Sequence, residues 1–333
     1  MRASRSVLGP VVVVIRFSLC VRTFSFREVF VTIIGARGGA VLAKIAVAPE
    51  QPGRITGHEL ARGNGWRVED VVCTSGPADR PFEEQHSWVS IALVVAGTFQ
   101  YRSPAGRDLM TPGCVLLGSA SQHFECDHEH GTGDRCIAFR YTPEYFERVA
   151  ADAGAARGRG FRLGRLPPLR ELAPHVAQAC AGLGGSDEIS WEEIGVRLAA
   201  CVARLAHGAL PCRNEPTPAR DALARATRAV RTIDRDPGAR VTLGALAHDA
   251  GLSPYHFLRT FQRATGVTPH QYVVRARLRK AALRLAAEPA KVIDIAFDSG
   301  FGDVSNFNRS FRAEFGVSPR AYRRALDVAG ARC

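Results

Sequence analysis

Residues 256–272 read HFLRTFQRATGVTPHQY, and residues 306–322 read NFNRSFRAEFGVSPRAY. At an offset of 50, positions 257–272 and 307–322 agree at seven of sixteen, where composition alone would give about one. The phrase is an internal duplication, and its shared residues spell a helix, a stop and a new helix. Phe257 and Phe261 stand four apart, as do Phe307 and Phe311, which puts each pair on one side of a helix. Gly266 and Gly316 end those helices. Thr268-Pro269 and Ser318-Pro319 then supply a capping hydroxyl and a proline preset for a first helical turn.

A second matching element lies upstream of each copy: LGALAHDAGLS (243–253) before the first and VIDIAFDSGFGD (292–303) before the second. Each reads as a short amphipathic helix closed by Gly251 or Gly300 in a left-handed turn, with Ser253 or Asp303 capping the helix that follows. Short helix, glycine turn, second helix with a polar outer face is the helix-turn-helix pattern, written here twice. On the side opposite the Phe pairs lie Tyr255, Leu258, Arg259 and Gln262 in the first copy and Ser305, Asn308, Arg309 and Arg312 in the second. An arginine fork fits guanine O6 and N7 together, and Leu or Tyr can pack on a thymine methyl. Solvated surface is the alternative for each.

Charge supports a polyanionic partner. Of the 333 residues, 219–333 carry 20 Arg/Lys against 10 Asp/Glu, while 1–218 carry 24 against 22, so most of the +12 net charge lies in the C-terminal third. The 46% hydrophobic and 23% charged content is that of a globular protein and argues against long disorder. The chain is long enough for two domains. Nine cysteines without dense regular spacing point to reduced thiols and a cytoplasmic protein. No membrane partner is expected. SVLGPVVVVIRFSLCV (6–21) mimics a secretory core but is interrupted by Arg16, so residues 1–45 read as a loose arm or an over-extended translation start.

With these motifs in place, residues 225–325 resemble the AraC/XylS family of bacterial transcription regulators, GFGDVSNFNRSFRAEFGVSPRAYRR (300–324) following the family signature almost throughout. The resemblance implies a seven-helix DNA-binding domain whose two motifs are joined by a long helix, here TPHQYVVRARLRKAALRLA (268–286). It implies base contacts from Tyr255, Leu258 and Arg259 in the first copy and from Val304, Ser305, Asn306 and Arg309 in the second. Double-stranded DNA is then the partner, read at two successive major-groove segments, with RNA polymerase, an effector and a homodimeric partner as further expectations for such an activator or repressor. Arg275, Arg277, Arg279 and Lys280 on the connecting helix are expected to touch phosphates or merely solubilise.

The front half reads differently. WVSIALVVAGTFQYRS (88–103) and DLMTPGCVLLG (108–118) are strand-rich runs broken at Gly97 and at Pro112-Gly113, and several such strands argue for a small barrel or sandwich. Stretches 167–183 and 190–210 switch to helical periodicity; they close the barrel or form a dimer interface. PCRNEPTPAR (211–220) is a proline-rich linker. The expected architecture is α+β: an arm (1–45), a sensor domain (46–210), the linker, an all-α domain with two helix-turn-helix motifs (221–326) and a short tail (327–333).

The strand-rich half resembles the cupin-like sensor domain found before many such regulators. GRDLMTPGCVLLGSASQHF (106–124) looks like the second cupin motif, with His123 where a metal-facing histidine often sits, but the first motif offers only Glu84 and His86 in place of two spaced histidines. Beside it, FECDHEHGTGDRC (124–136) packs Cys126, His128, His130 and Cys136 together. A soft transition metal such as zinc, a reactive thiol pair and an ordinary hairpin loop with buried cysteines all fit that composition. An enzyme is the competing class, but no general acid–base pair and no complete ligand set is visible. An architectural DNA-binding protein without an effector is the third.

Overall fold

The computed structural model describes residues 53–129, 133–155, 160–183, 190–207 and 219–330. The expected arm, His130, nearly all of the proline-rich linker and the last residues of the tail lie outside them.

The front half contains ten strands: β1 (Ile55–Gly63), β2 (Trp66–Cys73), β3 (Phe82–Gln85), β4 (Val89–Gly97), β5 (Phe99–Ser103), β6 (Gly106–Met110), β7 (Val115–Gly118), β8 (His123–Asp127), β9 (Asp134–Tyr141) and β10 (Arg165–Leu166). They form two sheets, ordered β1-β2-β9-β4-β7-β10 and β3-β8-β5-β6, with every described pairing antiparallel. Of the barrel and the sandwich expected, the two sheets fit the sandwich, and their strands do not close into a single cylinder. The breaks at Gly97 and at Pro112-Gly113 are not hairpins either. β4 and β5 belong to different sheets, as do β6 and β7, so these glycines mark corners where the chain changes layer. Gly97 has φ 78°, and a Cβ there would meet the Gly133 carbonyl oxygen at 2.2 Å, which leaves room for glycine alone.

At β4 both faces of the six-stranded sheet are covered, which explains that strand's unbroken apolar run. Ala92, Val94, Leu116, Cys136 and Ala138 pack toward Phe99, Tyr101, Met110 and Cys126 of the four-stranded sheet. Ile91, Leu93, Val115, Leu117, Ile137 and Phe139 face the other way, into a core shared with three helices. Those helices are α1 (Pro143–Asp152), α2 (Ala173–Gly182), preceded by a 3-10 turn at Arg170–Leu172, and α3 (Trp191–His207). Their apolar stripes cover the sheet.

Seven helices are described from residue 220 onward: α4 (Arg220–Arg235), α5 (Leu243–Asp249), α6 (Pro254–Thr265), α7 (Pro269–Ala287), α8 (Val292–Asp298), α9 (Val304–Phe315) and α10 (Pro319–Gly330). Two cores are strung along α7. Its first half gives Tyr272, Val273 and Ala276 to a cluster with Phe257, Phe261, Leu246 and Val230. Its second half gives Leu278, Ala281, Ala282 and Leu285 to a cluster with Phe307, Phe311, Phe315 and Ile295. α2 ties the halves together, with Val176, Ala179 and Cys180 in the front core and Ala173 and Ala177 against the second helical core. No helix among the described residues is long and apolar enough to cross a membrane.

Candidate nucleic-acid interface

The two repeated helices are built by the same local rules. Ser253 opens α6 by accepting the His256 backbone N–H, and Asp303 opens α9 by accepting those of Ser305 (3.1 Å) and Asn306 (2.8 Å). These last two bonds hold the Asp303 carboxyl below its usual range. At the other ends, Gly266 (φ 82°) and Gly316 (φ 77°) take the left-handed conformation, and their N–H groups donate to Gln262 and Arg312 carbonyls at 2.8 and 2.9 Å. The preceding turns close likewise, with Gly251 at φ 63° and Gly300 at φ 92°.

Phe257, Phe261, Phe307 and Phe311 are each 0% exposed, so one side of either helix is wholly committed to the interior. The opposite side follows from the 3.6-residue period. Tyr255, Arg259 and Gln262 stand exposed with Leu258 half-buried beside them; Ser305, Asn306, Asn308, Arg309 and Arg312 stand exposed with Val304 half-buried. Tyr255 is 61% exposed, and its hydroxyl accepts from Arg259 Nη1 at 3.3 Å. The Arg259 guanidinium also lies over that ring, 5.9 Å from its centre, so two side chains with base-reading chemistry share one patch.

The connecting helix departs from expectation. Arg275 pairs with Glu314 at 3.3 Å and donates to the Pro168 carbonyl. Arg277 donates to Pro237 and Ala239 carbonyls, Arg279 reaches Asp234 and stacks over Tyr272, and Lys280 approaches Asp236. These cations brace the domain from within. Sequence alone could not tell them from phosphate contacts, because their acceptors are backbone carbonyls and carboxylates far away along the chain.

The inner ends of both repeated helices rest on the front half. Arg165 of β10 donates to the Leu109 carbonyl (3.2 Å) and to the Ala264 carbonyl of α6 (3.0 Å). Leu109 also joins Leu223, Ala226 and Ala264 in a small buried cluster across the boundary. At α9, Glu314 receives Arg275 and, at 3.8 Å, Arg170. The outer faces stay clear of these contacts.

In the front half the structure sorts the cysteine and histidine candidates. His86 is buried, hydrogen-bonded through Nε2 to the Tyr101 hydroxyl at 2.9 Å and stacked on Phe124. Burial, aided by the Arg140 charge, pushes its imidazole down to about 4. His123 is exposed at the start of β8. Neither joins the remaining cluster. Burial pushes the Cys126 and Cys136 thiols well up, the reverse of what a reactive thiolate pair requires. His128 meets two residues that sequence reading passed over: its Nε2 lies 2.5 Å from Asp134 Oδ2, and Cys73, Asp134 and His128 bring one ligand-type atom each to within 4.8 Å of one another. Burial disfavours the charged imidazole most strongly, but hydrogen bonds to Asp134 and Cys73 and their charges outweigh it and raise His128 to about 9. Asp134 stood inside the quoted 124–136 stretch. Cys73 lay far upstream of it, visible only through the pairing of β2 with β9.

Residues 246–325 match the family model described as a helix-turn-helix domain. Over 108 residues the chain is 36% identical to "HTH-type transcriptional regulator Rv1931c" of Mycobacterium tuberculosis, covering 29% of this chain and 42% of the relative. Over 87 residues it is 41% identical to "HTH-type transcriptional activator RhaS" of Escherichia coli, covering 26% and 31%. The chain thus spans less than half the length of these relatives. Among solved structures, the DNA-binding domain of AdpA in complex with a target DNA aligns at 26% identity, covering 33% of this chain and 98% of that one, with a TM-score of 0.32. Residues 246–325 thus carry a helix-turn-helix domain.

Proposed function

We propose that the chain is a sequence-specific, DNA-binding transcription regulator that reads two successive major-groove segments, with α6 and α9 as its reading helices. One observation carries the proposal: two copies of a helix bury their Phe pairs completely and turn Tyr255, Arg259 and Gln262, or Asn306, Arg309 and Arg312, outward from a domain with a net positive charge. The names of its relatives, a transcriptional regulator and a transcriptional activator, fit this use. With both helices in one chain, the recognised site is asymmetric, its two elements about one helical turn (~34 Å) apart.

The front half is proposed as a sensor. Its contacts at Ala264 and Glu314 touch both reading helices, so a ligand favouring one arrangement of the halves over another would shift DNA affinity by that preference. Selection of bound fragments from a random duplex pool by the full chain tests the assignment. A bipartite motif with about 10-base-pair spacing is expected; enrichment of no motif at physiological salt would overturn it.

A further inference from the structure

We propose that Cys73, His128 and Asp134 form a binding site for a thiophilic divalent metal ion of the zinc class, linked through Glu129 to the first helix of the DNA-reading half. Neither the helix-turn-helix match nor the two cupin motif positions, His86 and His123, predicts such a site.

The donor set comes first. One thiol, one imidazole and one carboxylate suit zinc or a similar borderline-soft ion and suit magnesium or calcium poorly, since those take oxygen ligands throughout. Zinc bonds of about 2.0–2.3 Å in a tetrahedron place ligand atoms roughly 3.3–3.8 Å apart. Atoms already within 4.8 Å of one another reach that geometry by shifts of about 1 Å. All three residues are buried, where unpaired polar groups are costly, so each is held by its neighbours with its ligand atom turned toward the other two.

The backbone explains why they converge. Cys73 and Asp134 are direct cross-strand partners at the end of the β2–β9 pairing, so their side chains emerge on one side of the six-stranded sheet. Cys136, two residues beyond Asp134, shares that side; its Sγ donates to the second Asp134 oxygen at 3.5 Å and holds that carboxylate from behind, outside the three converging ligand atoms. His128 arrives from the other sheet, immediately after β8, its ring packed beside Phe99 with centroids 5.9 Å apart. An ion here would pin the two sheets together at one end.

The same end faces the other domain. Glu129, the residue after His128, pairs with Arg220 at the start of α4 and accepts from Gln100. His128 itself shares a narrow cleft with Thr227 of α4. Fixing His128 on a metal therefore sets where Glu129 offers its carboxylate to α4, whose Val230 and Ile233 belong to the core of the first reading helix. This second clause rests on the DNA-reading assignment, whereas the metal site does not.

The experiment uses reduced, untagged full-length protein, first without DNA. Cobalt(II) is expected to give thiolate-to-metal charge-transfer absorption and a tetrahedral visible band, displaced by one equivalent of zinc. Zinc in excess is expected to raise the melting temperature by about 4 °C or more. Cys73→Ser and Asp134→Asn should each weaken binding by more than the roughly 10- to 100-fold that loss of an outer-shell partner costs, while Cys180→Ala, a buried thiol elsewhere, should leave it unchanged. No cobalt–thiolate spectrum in the wild type, which needs no variant to fold, overturns the site, as does equal binding by Asp134→Asn. DNA affinity is then measured with zinc and with chelator. A change of about fivefold or more that Arg220→Ala abolishes is expected. Metal binding with DNA affinity unmoved by zinc overturns the link to α4 and leaves the DNA-reading assignment standing.

Discussion

At position 264 helix α6 carries alanine, and at the equivalent position 314 helix α9 carries glutamate. Both residues are buried where the helix meets the front half, yet they are held by different chemistry. Arg165 reaches the backbone carbonyl of Ala264, whereas Arg170 and Arg275 approach the side chain of Glu314. The opening caps differ in the same way, a neutral Ser253 against an ionisable Asp303. The framework of the two copies recurs, Phe, Phe, Gly and the aromatic at 272 or 322, while at the inner end buried Thr265 is matched by buried Phe315. A duplicated fold keeps its packing code because volume errors in a core cost several kcal/mol, while its caps, outer faces and docking contacts are free to specialise.

The largest expected effect tests the shared interior. Phe261→Ala and Phe311→Ala occupy equivalent, fully buried positions and should each lose about 3–5 kcal/mol in urea unfolding. A loss below about 1 kcal/mol in one of them would show that the two cores are not equivalent.

Next come the outer faces. Arg259→Ala and Arg309→Ala should each cost about 1–3 kcal/mol of discrimination at one base position, in different elements of the site. Competition binding against single-base variants of the selected duplex would read this directly. Uniform weakening on every duplex would reduce both arginines to phosphate grips and erase the difference between the copies.

Smaller still is the cap. Ser253→Ala should cost about 1 kcal/mol of stability, read as a lowered urea midpoint with unchanged slope.

The two ends of α9 sharpen the comparison through pH. Backbone hydrogen bonds from Asn306 and Ser305 lower Asp303 below 3.8, so its contribution is complete above that value and is lost as pH falls through the lower folded-state value. Burial raises Glu314 above 4.5 despite Arg275 and Arg170. Its contribution is present below 4.5 and is lost as pH rises through the raised value. Asp303→Asn keeps the cap and should remove the first slope; Glu314→Gln should remove the second. Unfolding measured from about pH 3 to 7 would resolve them, and α6, with neither carboxylate, supplies no such pair.

Legibility in the sequence followed the range of the interactions. Helix, glycine and cap recur within a few residues, so both helix pairs and the outward placement of Tyr255, Arg259 and Arg309 could be read from spacing alone. The strands of the front half were also visible as Val- and Ile-rich runs. Their partners were not: nothing local to Gly97 says that β4 and β5 diverge into different sheets, because strand pairing is decided by which faces find cover. The same blindness hid Cys73, whose importance depends on register with Asp134 on a strand distant in sequence. It also misdirected Arg275 and Arg279, whose charges look solvated until the acidic and carbonyl groups opposite them are known.

Helix α2 lends one side to the front core and the other, through Ala173 and Ala177, to the second helical core. A cut through the proline-rich stretch near residue 215 therefore does not release a pair of self-sufficient bodies. The severed C-terminal fragment would turn an oily strip toward water beside Phe311 and Phe315, and its solubility and melting would report that wound along with the motif it was made to isolate.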